Sequence, residues 1–222
     1  AILYYLDITQ HAQLSHITGI SRIEEDRYIW LDKFTIRNLE LFHSPYEGAR
    51  TLIDIIDRTI SPMGSRLLKR WVSLPLKDIK PINDRLDIVS CFVSDPLLKK
   101  QVAELVRQIG DLERLISKAA VGRINPREVV QLKRALRAIE PLKELCAKSG
   151  CVPLTALGDQ LNPCRAVADR IERELNVDPP SQIIRGQVIA SGVSEELDEL
   201  RRLLYSGKDY LTDLQQRESE RT

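Results

Sequence analysis

The sequence predicts an all-α, multihelical fold, and three observations carry that prediction. Leu, Ile, Arg and Glu are abundant while aromatic residues make up only 5% of the chain, a bias that favours helices over strands. Helix-start signals recur, several of them a capping side chain followed by Pro or by a Glu three residues on. In the second half, apolar residues repeat at spacings of three and four, which places them on one face of a helix.

In chain order, residues 1–16 read as a helix. Ile23, Tyr28, Ile29 and Trp30 then flank the charged turn Glu24-Glu25-Asp26-Arg27. A small two-stranded β-hairpin over residues 20–31 fits that pattern. Short helices are expected at 33–42 and 49–59, around a loop at Ser44-Pro45. Ser61-Pro62 caps a helix running from Met63 to Ser73, and Asp78 caps one reaching about Ser94. Asp95-Pro96 opens a helix over 96–108, and Asp111 opens another over 111–122. Asn125 and Glu128 have the spacing of a capping box.

The helix that follows carries Val129, Leu132, Leu136 and Ile139, and Pro141 is expected to kink or break it. Leu154, Leu157, Leu161, Cys164, Ala168, Ile171 and Leu175 form one continuous stripe that calls for a partner helix, with a local bend at Pro163. A loop over 176–193 contains Pro179-Pro180, Gly186 and Gly192. Ser194 caps a long final helix whose acidic first turn suits the positive end of the helix dipole. Its stripe is Leu197, Leu200, Leu204, Leu211 and Leu214, interrupted at Gly207. At 1.5 Å per residue this helix would reach roughly 40 Å. Beyond Leu214 the chain is wholly polar, so the expectation is a stiff rod ending in water, with Leu200 nearer the core than Leu214.

Composition bounds the function. With 222 residues, 43% hydrophobic and 29% charged, the chain is long enough to bury a core and is globular rather than disordered. No run of about 18 apolar residues is present, so no membrane span is expected. The N-terminal ten residues lack a basic region and do not read as a signal peptide. The absence of an initiator Met suggests a start within a longer protein. Thirty-three basic residues balance 32 acidic ones, which argues against nucleic-acid binding over the whole surface. Charge is nevertheless uneven. Residues 58–80 hold six basic groups against Asp78 alone, and Arg66, Lys69 and Arg70 within them are candidates for a domain junction; a solvated face is the simpler reading.

Catalytic signatures are missing. GxxxxGK[ST], GxGxxG, GxSxG and HExxH do not occur. His11, His16 and His43 lack metal-ligand spacing, and Cys91, Cys146, Cys151 and Cys164 form no CxxC pair, so reduced, mostly buried thiols are expected. Trp30 and Trp71 lie in apolar settings and are expected in the core. The residues themselves thus point to no catalytic, cofactor-binding or metal site, and to a mechanical rather than a chemical role.

Five ordered stretches resemble the MutS DNA mismatch repair proteins. They are Arg37-Asn38-Leu39-Glu40-Leu41, Ser61 through Trp71, Gly110-Asp111-Leu112-Glu113-Arg114, Val188 through Gly192, and Glu195 through Leu200. Their order is similar to that of the family's central core-and-lever domain. The resemblance implies a helical core over 1–123 and lever helices over 124–222, ending where a DNA clamp would begin. It implies a role coupling that clamp to an ATPase that uses ATP and Mg elsewhere in the protein. Expected partners are mismatched double-stranded DNA, the other domains of the same protein, and a second copy in a homodimer. The setting would be cytoplasmic, bacterial and nucleoid-associated.

The mismatch-reading Phe-x-Glu of the family is absent, since Phe34, Phe42 and Phe92 are followed two residues later by Ile36, Ser44 and Ser94. No catalytic, ATP-binding or mismatch-contacting residue of the family carries over. Arg217 and Arg221, near the expected lever tip, are the candidates for contact with the DNA backbone. A free-standing helical scaffold, binding partner proteins through the 154–175 and 197–214 stripes, is the alternative reading.

Overall fold

Local capping chemistry sets most of the helix boundaries in the computed structural model, which describes residues 4, 5, 8, 9, 19, 25–204, 206 and 207. Helix α1 spans Lys33–Asn38, where Asp32 accepts from the Thr35 amide at 2.7 Å. Helix α2, Leu52–Ile56, starts with a capping box between Thr51 and Asp54. Helix α3, Pro62–Ser73, is capped by Ser61, which accepts from the Gly64 amide at 3.1 Å. Helix α4, Ile79–Ser94, starts after Asp78, whose side chain makes no capping bond. Helix α5, Pro96–Ile109, and helix α6, Leu112–Ala120, are capped by Asp95 and Asp111. Helix α7, Pro126–Lys148, opens with the expected box, in which Asn125 and Glu128 each accept from the other's amide. Helices α8, Val152–Asp159, and α9, Arg165–Glu174, follow. Residues 195–204 form a further helical run, capped by Ser194.

Helix α7 is the spine of the body. It buries Val130, Ala135, Leu136, Ala138, Ile139, Leu142 and Cys146. Helices α5, α6, α8 and α9 all pack on it, and α4 packs on α5 and α8. Leu98 and Ile109 of α5, Leu154 of α8 and Ala168 of α9 complete the buried cluster. Each fully buried Leu or Ile contributes about 1.5–3 kcal/mol through removal of apolar surface from water.

Three elements differ from the sequence expectation. Pro141 does not break α7, which continues for seven more residues to Lys148. Pro141 lies on the exposed side of the helix, where water replaces the missing intrahelical donor bond at small cost. The 154–175 stripe is not one helix. It divides into α8 and α9 around Asn162 and Pro163, and Cys164 takes a left-handed backbone with φ 45° and ψ 48°. The residue before a proline avoids the helical region, and Asn162 supplies an alternative by accepting from the Cys164 amide at 2.9 Å. The hairpin expected over 20–31 is replaced, in the described residues 25–31, by a single 3₁₀ turn at Glu25–Arg27. Tyr28 then makes an isolated antiparallel bridge to Leu76. The Ile29 amide donates to the Pro75 carbonyl at 2.7 Å, so this segment pairs with the α3–α4 loop instead of with itself. The helix expected over 1–16 lies almost wholly outside the described residues.

Candidate functional site

Two junctions in this body are fastened by arginine side chains. The first is the seat of the C-terminal helix. Just past the end of α9, Leu175 forms an antiparallel bridge with Ile189 at the far end of the Pro-rich loop. The Asn176 amide donates to the Val188 carbonyl at 3.0 Å, and the Ala190 amide donates to the Glu174 carbonyl at 2.9 Å. The Asn176 side-chain amide closes the same loop by donating to the Gln187 carbonyl at 2.6 Å. The helical run then docks onto this bridge. Arg201 donates to the Ile189 carbonyl at 2.8 Å and to Asp198 at 3.0 Å. Asp198 also accepts from the Gly192 amide at 2.6 Å, and this bond holds its carboxyl below the usual carboxylate range. Gly192 has φ +84°, a conformation that disfavours residues with a side chain. Helix end, bridge and new helix are thereby tied into one joint.

The second junction fastens α3 to the start of α6. Arg66 donates to both oxygens of Asp111, at 2.6 and 3.1 Å, and to Glu113 at 2.6 and 2.9 Å. A planar guanidinium matched to two carboxylates gives directional fastening that a lysine cannot. The Arg66 hydrogen bonds hold the Asp111 carboxyl below its ordinary range. Asp111 also caps α6, so one side chain serves both as cap and as strut. Farther along, α9 is fixed against α7 by Arg137, which donates to Asp169 at 2.7 Å and to Glu172. Arg165 donates to Glu140 at the other end of that helix pair. Such exposed pairs contribute little to stability, but they fix the axial register of α9.

The predicted site residues fall as follows. Of the candidate junction cations, Arg66 is engaged within the body, while Lys69 and Arg70 are exposed on α3. In the leucine stripe, Leu197 is half-buried, whereas Leu200 and Leu204 are 57% and 70% exposed. Leu200 is therefore not a core residue. Leu211, Leu214, Arg217 and Arg221 lie outside the described residues. Trp30 and Trp71 are also not in the core: Trp30 is exposed, and the Arg85 guanidinium lies 3.6 Å from the centre of the Trp71 ring. Trp71 and Arg85 form one end of a groove of about 530 Å³ between α4 and α8. Arg201, Asp198 and Asn176 were not singled out from the sequence. Their signal, an amide side chain just past a helix end and an Asp–Arg pair at the next helix start, is too common to be read alone.

No group of three or more His, Cys, Asp or Glu side chains that could hold a metal ion occurs among the described residues, and no helix there is long and apolar enough to cross a membrane. The polar groups of the two junctions are occupied with one another. The arrangement can hold the joined helices in fixed positions.

The described residues thus form an all-helical, multihelical domain with a helix seated on a hydrogen-bonded joint. Comparison with known proteins narrows the class to one family. The profile of MutS domain III matches residues 34–219. Over all 222 residues the chain is 60% identical to the DNA mismatch repair proteins MutS of Parabacteroides distasonis and of Bacteroides thetaiotaomicron, and 52% identical to that of Porphyromonas gingivalis. The chain belongs to the MutS family and corresponds to its domain III. It spans about a quarter of the length of these relatives, 26% in the first two and 25% in the third.

Proposed function

We propose that this chain is the core-and-lever part of an ATP-dependent protein that recognises mismatched DNA, and that it carries conformational change between a DNA clamp and an ATPase. The observation that supports this most directly is the Arg201 joint. A helix that only covered a core would need apolar contacts, yet residues 195–204 leave Leu200, Leu203 and Leu204 exposed and are held by directional hydrogen bonds. Polar fastening of this kind keeps residues 195–204 at a fixed angle to the body.

In this reading residues 1–123 form the helical core and residues 124–222 carry the lever helices, with α7 the first of them. Lys69 and Arg70 form the junction with a neighbouring domain. Arg217 and Arg221 approach the DNA backbone, where each cation displaces condensed counterions. ATP and Mg act in another part of the protein, since the residues of this chain do not form a phosphate loop. The protein works as a homodimer in the bacterial cytoplasm.

Arg201→Ala in the whole gene product tests the proposal. The expected result is a loss of about five-fold or more in the response of ATP hydrolysis to a mismatched duplex, with hydrolysis in the absence of DNA unchanged. An unchanged response would refute the role of the joint. Equal loss of the basal and stimulated rates would show that Arg201 serves folding and not coupling.

A further inference from the structure

The groove between α4 and α8 has the form of a seat for a third helix. Ile88, Val89 and Phe92 line it from α4, and Pro153, Ala156 and Leu157 line it from α8. Its lining positions on α4 run from Asp84 to Phe92, about 12 Å along the axis, which matches two turns of a guest helix. Both walls face water: Val89 is 57% exposed and Leu157 50%. A contiguous apolar surface rimmed by polar groups marks a binding surface, whereas scattered apolar side chains do not.

The polar end of the groove is unbalanced. The Arg85 guanidinium lies 3.6 Å from the centre of the Trp71 ring, and this contact holds the cation on the groove wall. Among the described residues, no carboxylate lies within ion-pairing distance of it. Asp84 also borders the groove, but consecutive residues of a helix do not face each other. Burial pushes the guanidinium down, because water is partly withdrawn from a cation that no acid compensates. By contrast, Arg66, Arg137 and Arg165 each meet a carboxylate from another part of the body. Arg85 is a fastening group whose counterpart is absent from the described residues.

We propose that this groove holds an amphipathic helix from another part of the same polypeptide, apolar on one face and carrying an Asp or Glu that pairs with Arg85. The chain spans about a quarter of the length of its relatives, so most of such a protein lies outside it. A tethered segment meets the groove at an effective concentration in the millimolar range. A separate protein or a second copy must instead meet the full cost of association. Aliphatic side chains at helical spacing on the guest fill the cleft between Val89 and Leu157. The guest carboxylate accepts from the guanidinium N–H groups beside the Trp71 ring. Docking ties α4 and α8 to whichever domain carries the guest. This fastening rests on membership of a family of longer proteins and is independent of the Arg201 joint.

Photo-crosslinking of the purified, intact gene product tests the proposal. p-Benzoylphenylalanine replaces Val89 in one preparation and Leu157 in another, and mass spectrometry identifies the peptides linked on irradiation. The expected result is that both walls link to one segment outside residues 1–222, with apolar residues at helical spacing and an Asp or Glu beside them. Mixing isotopically light and heavy copies before irradiation separates links within a copy from links between copies, and the expected links lie within a copy. Arg85→Glu should abolish the link, and replacing the identified acidic residue by Arg in that background should restore it. Loss without restoration would show that Arg85 only shapes the groove, and would overturn the pairing. Links confined to residues 1–222, links only between copies, links to two unrelated segments, or no link from either wall would overturn the docking itself.

Discussion

Replacing Gly158 by Ala would place a methyl carbon 2.6 Å from the Cβ of Cys146. Gly158 is buried on the face of α8 that meets α7, between Leu154 and the helix end. Carbon atoms pack at about 3.5–4.0 Å, so α7 and α8 must part by about 1 Å. Neither atom can move alone, because a Cβ is fixed by its own backbone. The separation also loosens Leu154 and Cys146, which are 5% and 4% exposed. Overpacking of this kind costs about 3 kcal/mol at the upper end of its usual range. Ala recovers about 1 kcal/mol over Gly through helix propensity. The net expectation is a loss of about 2 kcal/mol, which lowers the unfolding midpoint by about 4–8 °C in a domain of this size. Urea and thermal unfolding of Gly158→Ala supply the measurement. A double-mutant cycle with Cys146→Gly, which removes the opposing Cβ, should return a coupling of at least about 0.5 kcal/mol in the compensating direction. A Gly158→Ala chain as stable as the parent, or more stable, would refute the close-contact argument.

Other expectations can be checked with the same preparations. Leu136→Ala on the buried face of α7 should cost about 2–5 kcal/mol in urea unfolding, whereas Leu200→Ala should stay within about 0.5 kcal/mol because that side chain is largely exposed; similar losses at the two positions would contradict the assignment of α7 as the spine. Asp57 accepts from the Ser65 hydroxyl and from Thr59, and these bonds lower its carboxyl from 3.8 to about 2. Because the folded value is depressed, its contribution is complete above the unfolded value and is lost as pH falls from about 4 toward 2. NMR titration of the Asp57 carboxyl should show this, and Ser65→Ala should move the midpoint upward.

The parts of this fold that could be read in advance are those decided by neighbours in sequence. Ser61-Pro62, Asp95-Pro96 and the Asn125–Glu128 box start helices in the structure because each cap is satisfied within three residues. Prolines were harder to read. Pro141 is carried inside α7 and Pro163 lies in a break, although both interrupt an apolar repeat. What separates them is context: Pro141 sits on an exposed face, while Asn162 offers the chain a local bond outside the helix. The repeat also misidentified the close contact of α8. Leu157 belongs to the stripe but is half-exposed, and the buried approach is made at Gly158, where a missing side chain lets α7 come near. Arg66 was visible as part of a basic segment. Its partners Asp111 and Glu113 lie 45 and 47 residues away, so the role of the side chain was not visible. Arg201 was more obscure still, because its acceptor is a backbone carbonyl whose position depends on the bridge between Leu175 and Ile189.

The position of α7 at the centre of the body has a consequence for how the chain can change in evolution. Four helices read its surface simultaneously, and the buried set from Val130 to Cys146 is arranged for one rotational phase. One inserted or deleted residue turns everything downstream by about 100°. Ala135, Ala138 and Ile139 would then exchange places with neighbours that carry charge, such as Arg134 and Arg137. Relatives should therefore keep the length of this helix while its side chains drift. Gains and losses of residues should accumulate at 181–186, between Pro179, whose carbonyl accepts from Arg127 of α7, and the bridge residue Ile189.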